Sequence, residues 1–348
     1  MRLLAEFSHP AQVHKFKHVL RRLELRGATV KVLSRDKDVM LSLLDELGCD
    51  HLCISRARKG YLGTLFELLV REWRTFIAVL RFRPTLVLSA HSVAITHVAW
   101  LMRIPCIVHE DTEFATLQQR LFLPFASKIV TTTSYYKDWG PRQLRINSLE
   151  PLAYLHPSEF QPDPTVLSKY GLSAEEPYVV LRLIAWRALH DHGVSGLTPD
   201  DVAKLSTTIG ASGIQKIVLS SENDRGNTPL VGAIKVAPHD LHHLLAFARL
   251  CISESITVAG ESAVLGVPTV LANPLEAGHT RELERYGLIE RILDKETLSE
   301  RVGAILADEG IMKTKAQARA RLLAEKVSFT DAFEDLLINL HRQYAGAY

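Results

Sequence analysis

Short apolar runs alternate with segments of helical hydrophobic spacing along the first 133 residues. After the run at 3–7, Val13, Phe16, Leu20 and Leu23 recur at the spacing of one helix face, and Gly27 ends that helix. The same pattern predicts strands over 3–7, 29–33, 51–54, 86–89, 106–109 and 128–133, with helices over 39–47, 61–82 and 93–102 between them. Continuous apolar strands joined by helices indicate a parallel sheet covered on both faces.

A second series follows a proline-rich stretch. Pro151, Pro157, Pro162 and Pro164 lie close together and indicate an extended linker. Strands are then predicted over 178–184, 216–221, 234–237, 250–253 and 269–272, with helices near 200–208, 240–248, 259–265, 280–286 and 296–307. Residues 314–344 are amphipathic and long enough to return across a cleft. We therefore predict an α/β protein of two doubly wound, Rossmann-like domains facing a cleft, with bounds 1–155 and 165–312 and a C-terminal crossing helix over 313–348.

Composition and charge refine this picture. The 348 residues are 47% hydrophobic and 23% charged, which excludes disordered, collagen-like and disulfide-scaffold classes. The net charge of +2 conceals a split, because residues 1–160 carry 22 Lys+Arg against 15 Asp+Glu and residues 161–348 carry 19 against 24. The two halves therefore present different surfaces to their ligands.

The four cysteines and the hydropathy pattern bear on localisation. Cys49, Cys53, Cys106 and Cys251 lie in or beside apolar runs without C-x-x-C spacing, so we expect reduced thiols. The apolar run at the start is too short for a signal peptide, and no window approaches the ~18 apolar residues of a membrane span. We expect a cytoplasmic protein that can also lie peripherally on the inner face of a membrane.

The segment 250–270 combines a strand, a turn of small hydroxylated residues, a helix and a Gly-x-Pro turn. Ser255, Thr257 and the N–H groups that open the helix can form an anion site suited to a diphosphate, with Glu254 beside them. Glu261, one turn further, can accept hydrogen bonds from two ribose hydroxyls. The alternative is that Ser255 or Thr257 merely caps the helix and Glu261 favours its first turn.

Here the chain resembles known families. The sequence ESAVLGVP at 261–268 resembles the donor-site motif Glu-Ala-x-x-x-Gly-x-Pro of GT-B glycosyltransferases, including the enzyme that adds N-acetylglucosamine to the lipid-linked peptidoglycan precursor, and of UDP-N-acetylglucosamine 2-epimerases. The segments HPAQVHKFK at 9–17, GATV at 27–30, SRDKD at 34–38 and RLIAWRALHDHG at 182–193 resemble a prokaryotic family of GT-B-like proteins classed as a domain of unknown function. The resemblance covers nearly the whole chain.

This resemblance implies a GT-B fold, a donor ribose on Glu261 and a diphosphate on 255–259. It implies that His239 lies where the nucleotide base binds, and that neither a cofactor nor a metal takes part. The adjacent His242 and His243 point apart on a helix, which also argues against a metal site. The chain departs from the pattern at Ser255-Ile256, where many GT-B enzymes have Gly-Gly, and this puts diphosphate binding and catalysis in doubt.

The first domain offers two candidate groups. The loop after the first strand carries Ser8, His9 and Gln12, and His14 or His9 is a candidate general base. The alternative is a helix-capping loop with solvated histidines. In the run 109–113, Asp111 and Glu113 are candidate acid/base or acceptor-orienting groups, and hydrolysing epimerases use carboxylates of this domain. The alternative there is that Asp111 or Thr112 caps the next helix.

Charged groups also follow the first strand of the second domain. Arg182 can neutralise a departing diphosphate, which is how metal-free sugar transfer stabilises its leaving group. The alternative for Arg182 is an interdomain ion pair. His190 is a candidate acid/base group and Asp191 a candidate donor-binding residue.

Residues 56–83 carry seven basic and two acidic side chains together with Trp73 and other aromatic residues. A helix of this type can rest on anionic lipid headgroups, or it can be a crossover helix whose arginines reach water. The helical spacing of the aromatic residues argues against nucleic acid as a partner.

We predict a metal-independent GT-B glycosyltransferase. It would bind a nucleotide-diphosphate sugar in the second domain and transfer the sugar to a glycan acceptor, either lipid-linked or a surface polysaccharide precursor. One alternative is a nucleotide-diphosphate-sugar 2-epimerase, hydrolysing or non-hydrolysing, and another is a non-catalytic nucleotide-sugar-binding or partner subunit.

Overall fold

The computed structural model describes residues 1–37, 40–58, 60–184, 196–221 and 233–346. It divides the chain into two compact units. Unit 1 is Met1–Tyr154 with Val327–Tyr348, and unit 2 is Leu155–Lys326. Each unit is built on one parallel sheet whose strands are joined by helices.

Unit 1 contains a seven-stranded sheet. Its strands are β1 (Arg2–Phe7), β2 (Thr29–Asp36), β3 (His51–Arg56), β4 (Leu86–Ala90), β5 (Cys106–His109), β6 (Lys128–Thr132) and β7 (Gln143–Ile146). The α-helices are α1 (Pro10–Leu25), α2 (Met40–Glu46), α3 (Tyr61–Phe82), α4 (Val93–Leu101), α5 (Thr116–Phe122) and, at the boundary with unit 2, α6 (Leu152–Leu155). The spatial order β3-β2-β1-β4-β5-β6-β7 reverses direction between β1 and β4.

Unit 2 contains a six-stranded sheet. Its strands are β8 (Tyr178–Leu183), β9 (Lys216–Ser221), β10 (Ile234–Lys235), β11 (Leu250–Ser253), β12 (Thr269–Leu271) and β13 (Ile289–Arg291). Its α-helices are α7 (Thr165–Ser168), α8 (Pro199–Ala211), α9 (Leu241–Ala246), α10 (Ile256–Val264), α11 (Gly278–Arg285), α12 (Lys295–Ala307) and α13 (Ile311–Glu325), after which the chain returns to unit 1 as α14 (Phe329–Ala345). The order β10-β9-β8-β11-β12-β13 reverses between β8 and β11.

Parallel pairing brings the loops that follow neighbouring strands to the same edge of each sheet. In unit 2, Ser253 at the end of β11 pairs with Arg182 of β8 and with Leu271 of β12. Ligands of open parallel sheets bind at this edge, at the point where the strand order reverses. In unit 1 that point lies between the loops after β1 and β4, and in unit 2 between the loops after β8 and β11.

The predicted fold class is confirmed, and the differences from the predicted elements are local. The strands β7 and β13 were not predicted because their apolar runs are too short to give a pattern. The helix predicted near 259–265 begins earlier, at Ile256. The reason is that the Ser255 side chain accepts a hydrogen bond from the Val258 N–H at 3.3 Å and so caps the helix at this point.

The C-terminal stretch predicted as one crossing helix forms two. Residue Ser328 starts α14 by accepting a hydrogen bond from the Asp331 N–H at 3.2 Å, and the Val327 N–H bonds the Asn147 carbonyl at 3.0 Å. The predicted return to the first domain is confirmed, because Phe333 of α14 packs against Phe16 of α1 with ring centroids 5.2 Å apart.

Replacing Phe333 by alanine should destabilise unit 1 strongly. Its side chain is fully buried among Phe16, His109 and Phe329, and removing a buried ring of this size costs about 3–5 kcal/mol. Chemical unfolding measures the loss. Phe66→Ala, at a ring that is 51% exposed, is the matched control and should cost less than about 1 kcal/mol. Equal losses for the two variants would contradict the packing described.

Candidate functional site

The donor-site candidates of unit 2 lie where β11 ends and α10 begins. Ser255 has φ −85° and ψ 122°, an extended conformation that any residue adopts, so the backbone here does not require the glycine common in GT-B enzymes. The first N–H groups of α10 have no partner within the helix and carry partial positive charge. Thr257 in the first turn is exposed. The two residues that sequence analysis assigned to a diphosphate therefore lie at an accessible helix start.

Glu254 lies directly before this helix and is fully buried. One carboxylate oxygen accepts a hydrogen bond from the Ile184 N–H at 2.9 Å, and the other accepts one from the Leu197 N–H. The predicted donor-binding residue therefore bridges the loop after β8 to the start of α10, across the point where the strand order reverses.

Glu261 is buried at 6% exposure within α10. Its Oε1 lies 3.2 Å from Nε2 of His242, which belongs to α9. The predicted ribose ligand therefore has an imidazole partner that sequence analysis did not identify. The adjacent His243 points elsewhere, because its Nδ1 accepts a hydrogen bond from the Asp163 N–H at 2.9 Å.

The other candidates of unit 2 are more dispersed. Arg182 is half-buried and donates from Nη1 to the Ser220 hydroxyl at 3.0 Å. His239 lies in a 3₁₀ turn, and its side chain is 72% exposed. His190 and Asp191 lie outside the described residues, so their predicted roles stay predictions.

A buried polar network that the sequence did not suggest links the remaining loops at this edge. Asn273, 1% exposed, donates from Nδ2 to the Glu254 carbonyl at 2.7 Å and accepts from the Leu275 N–H at 2.8 Å. Arg291 of β13 donates to the carbonyls of Asn273 and Leu275 at 2.6 and 2.8 Å, and to the Thr280 hydroxyl at 3.0 Å. These bonds hold the loop that leads into α11. No sequence pattern could reveal them, since they join residues far apart in the chain.

In unit 1, the loop after β1 is a helix cap. Nδ1 of His9 accepts a hydrogen bond from the Ala11 N–H at 3.2 Å, and Oε1 of Gln12 accepts from the Ser8 N–H at 2.7 Å. Gln12 also donates to the Ala90 carbonyl at 2.9 Å and so joins the loops after β1 and β4. This matches the capping alternative for Ser8, His9 and Gln12. His14, further along α1, packs beside Tyr154 with ring centroids 6.0 Å apart.

Charged side chains collect after β5. Lys15 of α1, only 6% exposed, forms an ion pair with Asp111. Burial alone would disfavour the Asp111 charge, but the Lys15 ammonium outweighs it and holds the pKa of Asp111 well below its usual range. Burial, helped by Lys15, lowers the pKa of His109 to about 3. The Asp111 carboxylate is therefore a permanent charge, and His109 is neutral.

Glu110, one of the three carboxylates in the run 109–113, has a pKa raised towards neutrality. It is 0% exposed, and burial, together with the neighbouring Asp111 charge, raises its pKa to about 8. Its Oε1 accepts from Gln119 at 3.0 Å and from the Thr112 N–H at 3.0 Å, and lies 3.0 Å from Nε2 of His91. Oε2 has no hydrogen-bond partner within the part of the chain that the structure describes. The predicted Glu113, 2% exposed, is also buried here.

His91 holds an unusual backbone conformation next to Glu110. Its φ is +59°, in the left-handed region that costs a non-glycine residue about 1–2 kcal/mol. Arg83 and Arg103 share this conformation, but each lies at the end of a helix, where it is common. His91 instead precedes α4. Its carbonyl accepts a hydrogen bond from Gln118 Nε2 at 3.0 Å and its imidazole lies 3.0 Å from Glu110, and contacts of this kind can offset the strain.

A separate surface of unit 1, which we call the apolar face, lies on α3, α4 and α5. Its exposed side chains are Leu62, Leu65, Phe66, Leu69, Trp73, Leu80, Trp100, Leu101, Leu117 and Leu121. A groove of about 590 Å³ runs along it between Trp73, Trp100 and Leu101. Two arginines of α3 are engaged elsewhere, since Arg71 pairs with the buried Glu6 and Arg74 donates to the Ile54 carbonyl at 3.0 Å. Among the described residues, no helix is both long and apolar enough to cross a membrane.

The family described as "Protein of unknown function (DUF354)" matches residues 4–297. The chain belongs to this family. The match runs from β1 into α12 and thus includes both candidate sites. The predicted resemblance to a GT-B-like family of unknown function is confirmed.

Two known proteins are similar to this chain in sequence. An uncharacterized protein of Methanocaldococcus jannaschii is 24% identical over 288 residues, which are 78% of this chain and 81% of that protein. The UDP-N-acetylglucosamine–N-acetylmuramyl-(pentapeptide) pyrophosphoryl-undecaprenol N-acetylglucosamine transferase of Caldanaerobacter subterraneus subsp. tengcongensis is 26% identical over 249 residues, which are 64% of this chain and 66% of the enzyme.

Solved structures share the fold. The S. aureus MnaA–UDP co-structure matches with a TM-score of 0.72 and 11% identity, covering 100% of this chain and 97% of that one. The UDP-GlcNAc 2-epimerase of Neisseria meningitidis bound to UDP-GlcNAc matches with a TM-score of 0.65 and 13% identity, covering 92% and 100%. This member of the DUF354 family therefore has the GT-B fold.

The raised pKa of Glu110 should appear in the pH dependence of stability. Between its ordinary pKa of 4.5 and about 8, folded Glu110 keeps a proton that the unfolded chain has released, so the free energy of unfolding falls as pH rises. His109 acts in the opposite direction, but only below its ordinary pKa of 6.5. Between pH 6.5 and 8 we therefore expect Glu110 to contribute a fall of up to about 1.4 kcal/mol per pH unit.

Urea unfolding at several pH values in this window, for the wild type and Glu110→Gln, measures the effect. The variant should lose the fall, because glutamine keeps the neutral shape. His109→Asn is the control and should leave the slope above pH 6.5 unchanged. Parallel falls in wild type and Glu110→Gln would contradict an uncharged Glu110 at neutral pH.

Proposed function

We propose that this protein is a metal-independent glycosyltransferase that binds a nucleotide-diphosphate sugar on unit 2. The observation that carries the proposal is the start of α10, where the helix N–H groups, Ser255 and the buried Glu261 carboxylate lie together after β11. The helix start suits a diphosphate and the carboxylate suits a ribose, as the donor-site motif at 261–268 implies. The transferase relative and the two similar structures that contain UDP or UDP-GlcNAc support this assignment.

Four of the predicted donor-side residues have roles in this proposal. Ser255 and Thr257 bind the diphosphate, and Arg182 neutralises the charge of the leaving group. Glu254 supports the site by accepting hydrogen bonds from the backbone N–H groups of Ile184 and Leu197. The acceptor is a glycan, lipid-linked or a surface polysaccharide precursor.

A nucleotide-sugar 2-epimerase is the second candidate, and Glu110 is the observation that favours it. A buried carboxyl group with a pKa near 8 holds a proton at neutral pH and can exchange it, as an epimerase requires of an acid/base group. His91 and Asp111 lie beside it. The two candidates differ in whether an acceptor is needed.

Nucleotide binding tests the proposal. Calorimetry with UDP-, GDP- and dTDP-sugars should show binding of at least one donor, and Glu261→Ala should weaken that binding about tenfold or more, because a charged hydrogen bond to ribose is lost. Glu276→Ala, at an exposed glutamate of the same unit, is the control and should leave it unchanged. Absence of binding by every donor would reject the proposal.

Product analysis with the bound donor alone then separates the candidates. Formation of an epimer without acceptor would establish the epimerase. Turnover that requires a glycan acceptor would establish the transferase, and tight binding without any turnover would indicate a non-catalytic subunit.

We further propose that the apolar face rests on an anionic membrane, where a lipid-linked acceptor is found. Apart from Arg74, which donates to the Ile54 carbonyl, the exposed charged side chains between residues 60 and 122 are Arg81, Arg83, Arg103 and Arg120, and none is acidic. Such a surface attracts anionic headgroups, and the exposed Trp73 and Trp100 suit the boundary between headgroups and acyl chains.

Vesicle sedimentation tests the membrane contact. Leu69→Ser/Leu101→Ser, at side chains that are 58% and 64% exposed, should reduce binding to phosphatidylglycerol vesicles severalfold, and high salt should weaken wild-type binding. Leu25→Ser/Leu293→Ser replaces leucines exposed elsewhere by 79% and 56% and should have no effect. Equal binding by both double variants would refute this face as the contact.

A further inference from the structure

The imidazole of His242 meets the carboxylate that the proposed donor site uses for ribose. His242 lies on α9, which precedes β11, and Glu261 lies on α10, which follows it. Nε2 of His242 is 3.2 Å from Oε1 of Glu261, and the two side chains are 18% and 8% exposed. The contact is therefore largely shielded from water, where a hydrogen bond to a charged group is stronger than at the surface.

The surroundings of His242 favour one orientation of its ring. Phe160 contacts it edge-on, with ring centroids 6.2 Å apart and planes at 80°. The same phenyl ring lies 4.9 Å from the ring of His243, whose Nδ1 is occupied by the Asp163 N–H. The two adjacent histidines of α9 therefore have different contacts. His243 accepts a hydrogen bond from the Asp163 backbone, and His242 contacts the Glu261 carboxylate.

The contact between His242 and Glu261 bears on ribose binding, because a carboxylate that binds ribose must accept hydrogen bonds from two hydroxyls. A carboxylate has about four lone-pair positions, so the contact with His242 is compatible with hydrogen bonds from two ribose hydroxyls. A glutamate side chain loses rotamer freedom when it is held in one orientation, and a fixed imidazole beside it meets part of this entropic cost before the nucleotide arrives.

We propose that His242 is a positioning residue for the nucleotide ribose, which it serves by holding the Glu261 carboxylate in the orientation that accepts the 2′- and 3′-hydroxyls. This rests on the proposed function of unit 2 as the donor site. His242 itself does not touch the nucleotide. Its loss should therefore affect ribose recognition and leave diphosphate recognition intact.

Calorimetric titration of the full chain tests this with four probes, UDP, GDP and the 2′,3′-dideoxy form of each. For each base we compare the affinity for the hydroxylated nucleotide with the affinity for its dideoxy form. We expect the wild type to bind the hydroxylated nucleotide about tenfold or more tightly, and we call this factor the ratio. His242→Leu should reduce the ratio to near one and leave the affinity for the dideoxy probe unchanged. A general disturbance of the fold would instead weaken both probes.

Four further variants make the result specific. Glu261→Gln should also abolish the ratio, and the double variant should lose nothing more, because the two residues act as one unit. His242→Gln, whose Nε2 can donate in place of the imidazole, should restore most of the ratio. His243→Leu, on the same helix turn, is the matched control and should keep it.

The outcomes separate this inference from the proposed function. A full ratio in His242→Leu, with its loss in Glu261→Gln, overturns the role of His242 and leaves the donor site standing. A wild type that does not discriminate between the hydroxylated and dideoxy probes overturns ribose binding by Glu261, and His242 with it. No binding of any probe by the wild type overturns the role of His242, and together with no binding of the UDP-, GDP- and dTDP-sugars it also overturns the proposed function.

Discussion

Parallel strand pairing is the constraint on which both units depend. Because every strand runs in the same direction, each connection must cross the sheet as a helix, and the carboxyl ends of the strands collect at one edge. All the polar groups discussed above follow from this. His91 and Glu110 meet after β4 and β5, and Glu254 and Asn273 meet after β11 and β12.

This edge concentrates buried carboxylates, and each unit satisfies them in a similar way. Glu6 of β1 accepts a hydrogen bond from the Ile95 N–H at 3.1 Å, and Glu254 accepts from Ile184 and Leu197. Glu6 is compensated by the Arg71 guanidinium together with this N–H of the first turn of α4, and Glu254 by backbone donors of two loop residues, so each buried carboxylate ties a neighbouring segment to the sheet. Glu110 is the contrasting case, since one of its oxygens is left without a donor among the described residues and its pKa rises accordingly.

The two proposed ligands, a nucleotide diphosphate and a lipid surface, correspond to two different kinds of protein surface. On unit 2, a capped helix start and a held carboxylate offer donors and acceptors suited to a nucleotide diphosphate. On unit 1, the helix that crosses from β3 to β4 turns Glu67 and Arg71 inward and leaves leucine and tryptophan outside. A crossover helix normally buries its apolar face, so this exposed one is suited to a lipid surface.

The sequence by itself determined the fold class, the family and the position of α10, because these depend on local periodicity and on the short motif that ends in Gly266-Val267-Pro268. It also determined that polar residues follow strand ends, as at Ser255 and in 109–113. Only the tertiary structure decided which of these residues are buried and what they contact. Glu110 and Asp111 are adjacent in the chain, yet one faces Gln119 and the other Lys15. Burial raises the pKa of Glu110, whereas the Lys15 ammonium from α1 outweighs burial at Asp111 and helps to lower its pKa. Neither the burial nor the contact between distant elements is recorded in a local sequence pattern.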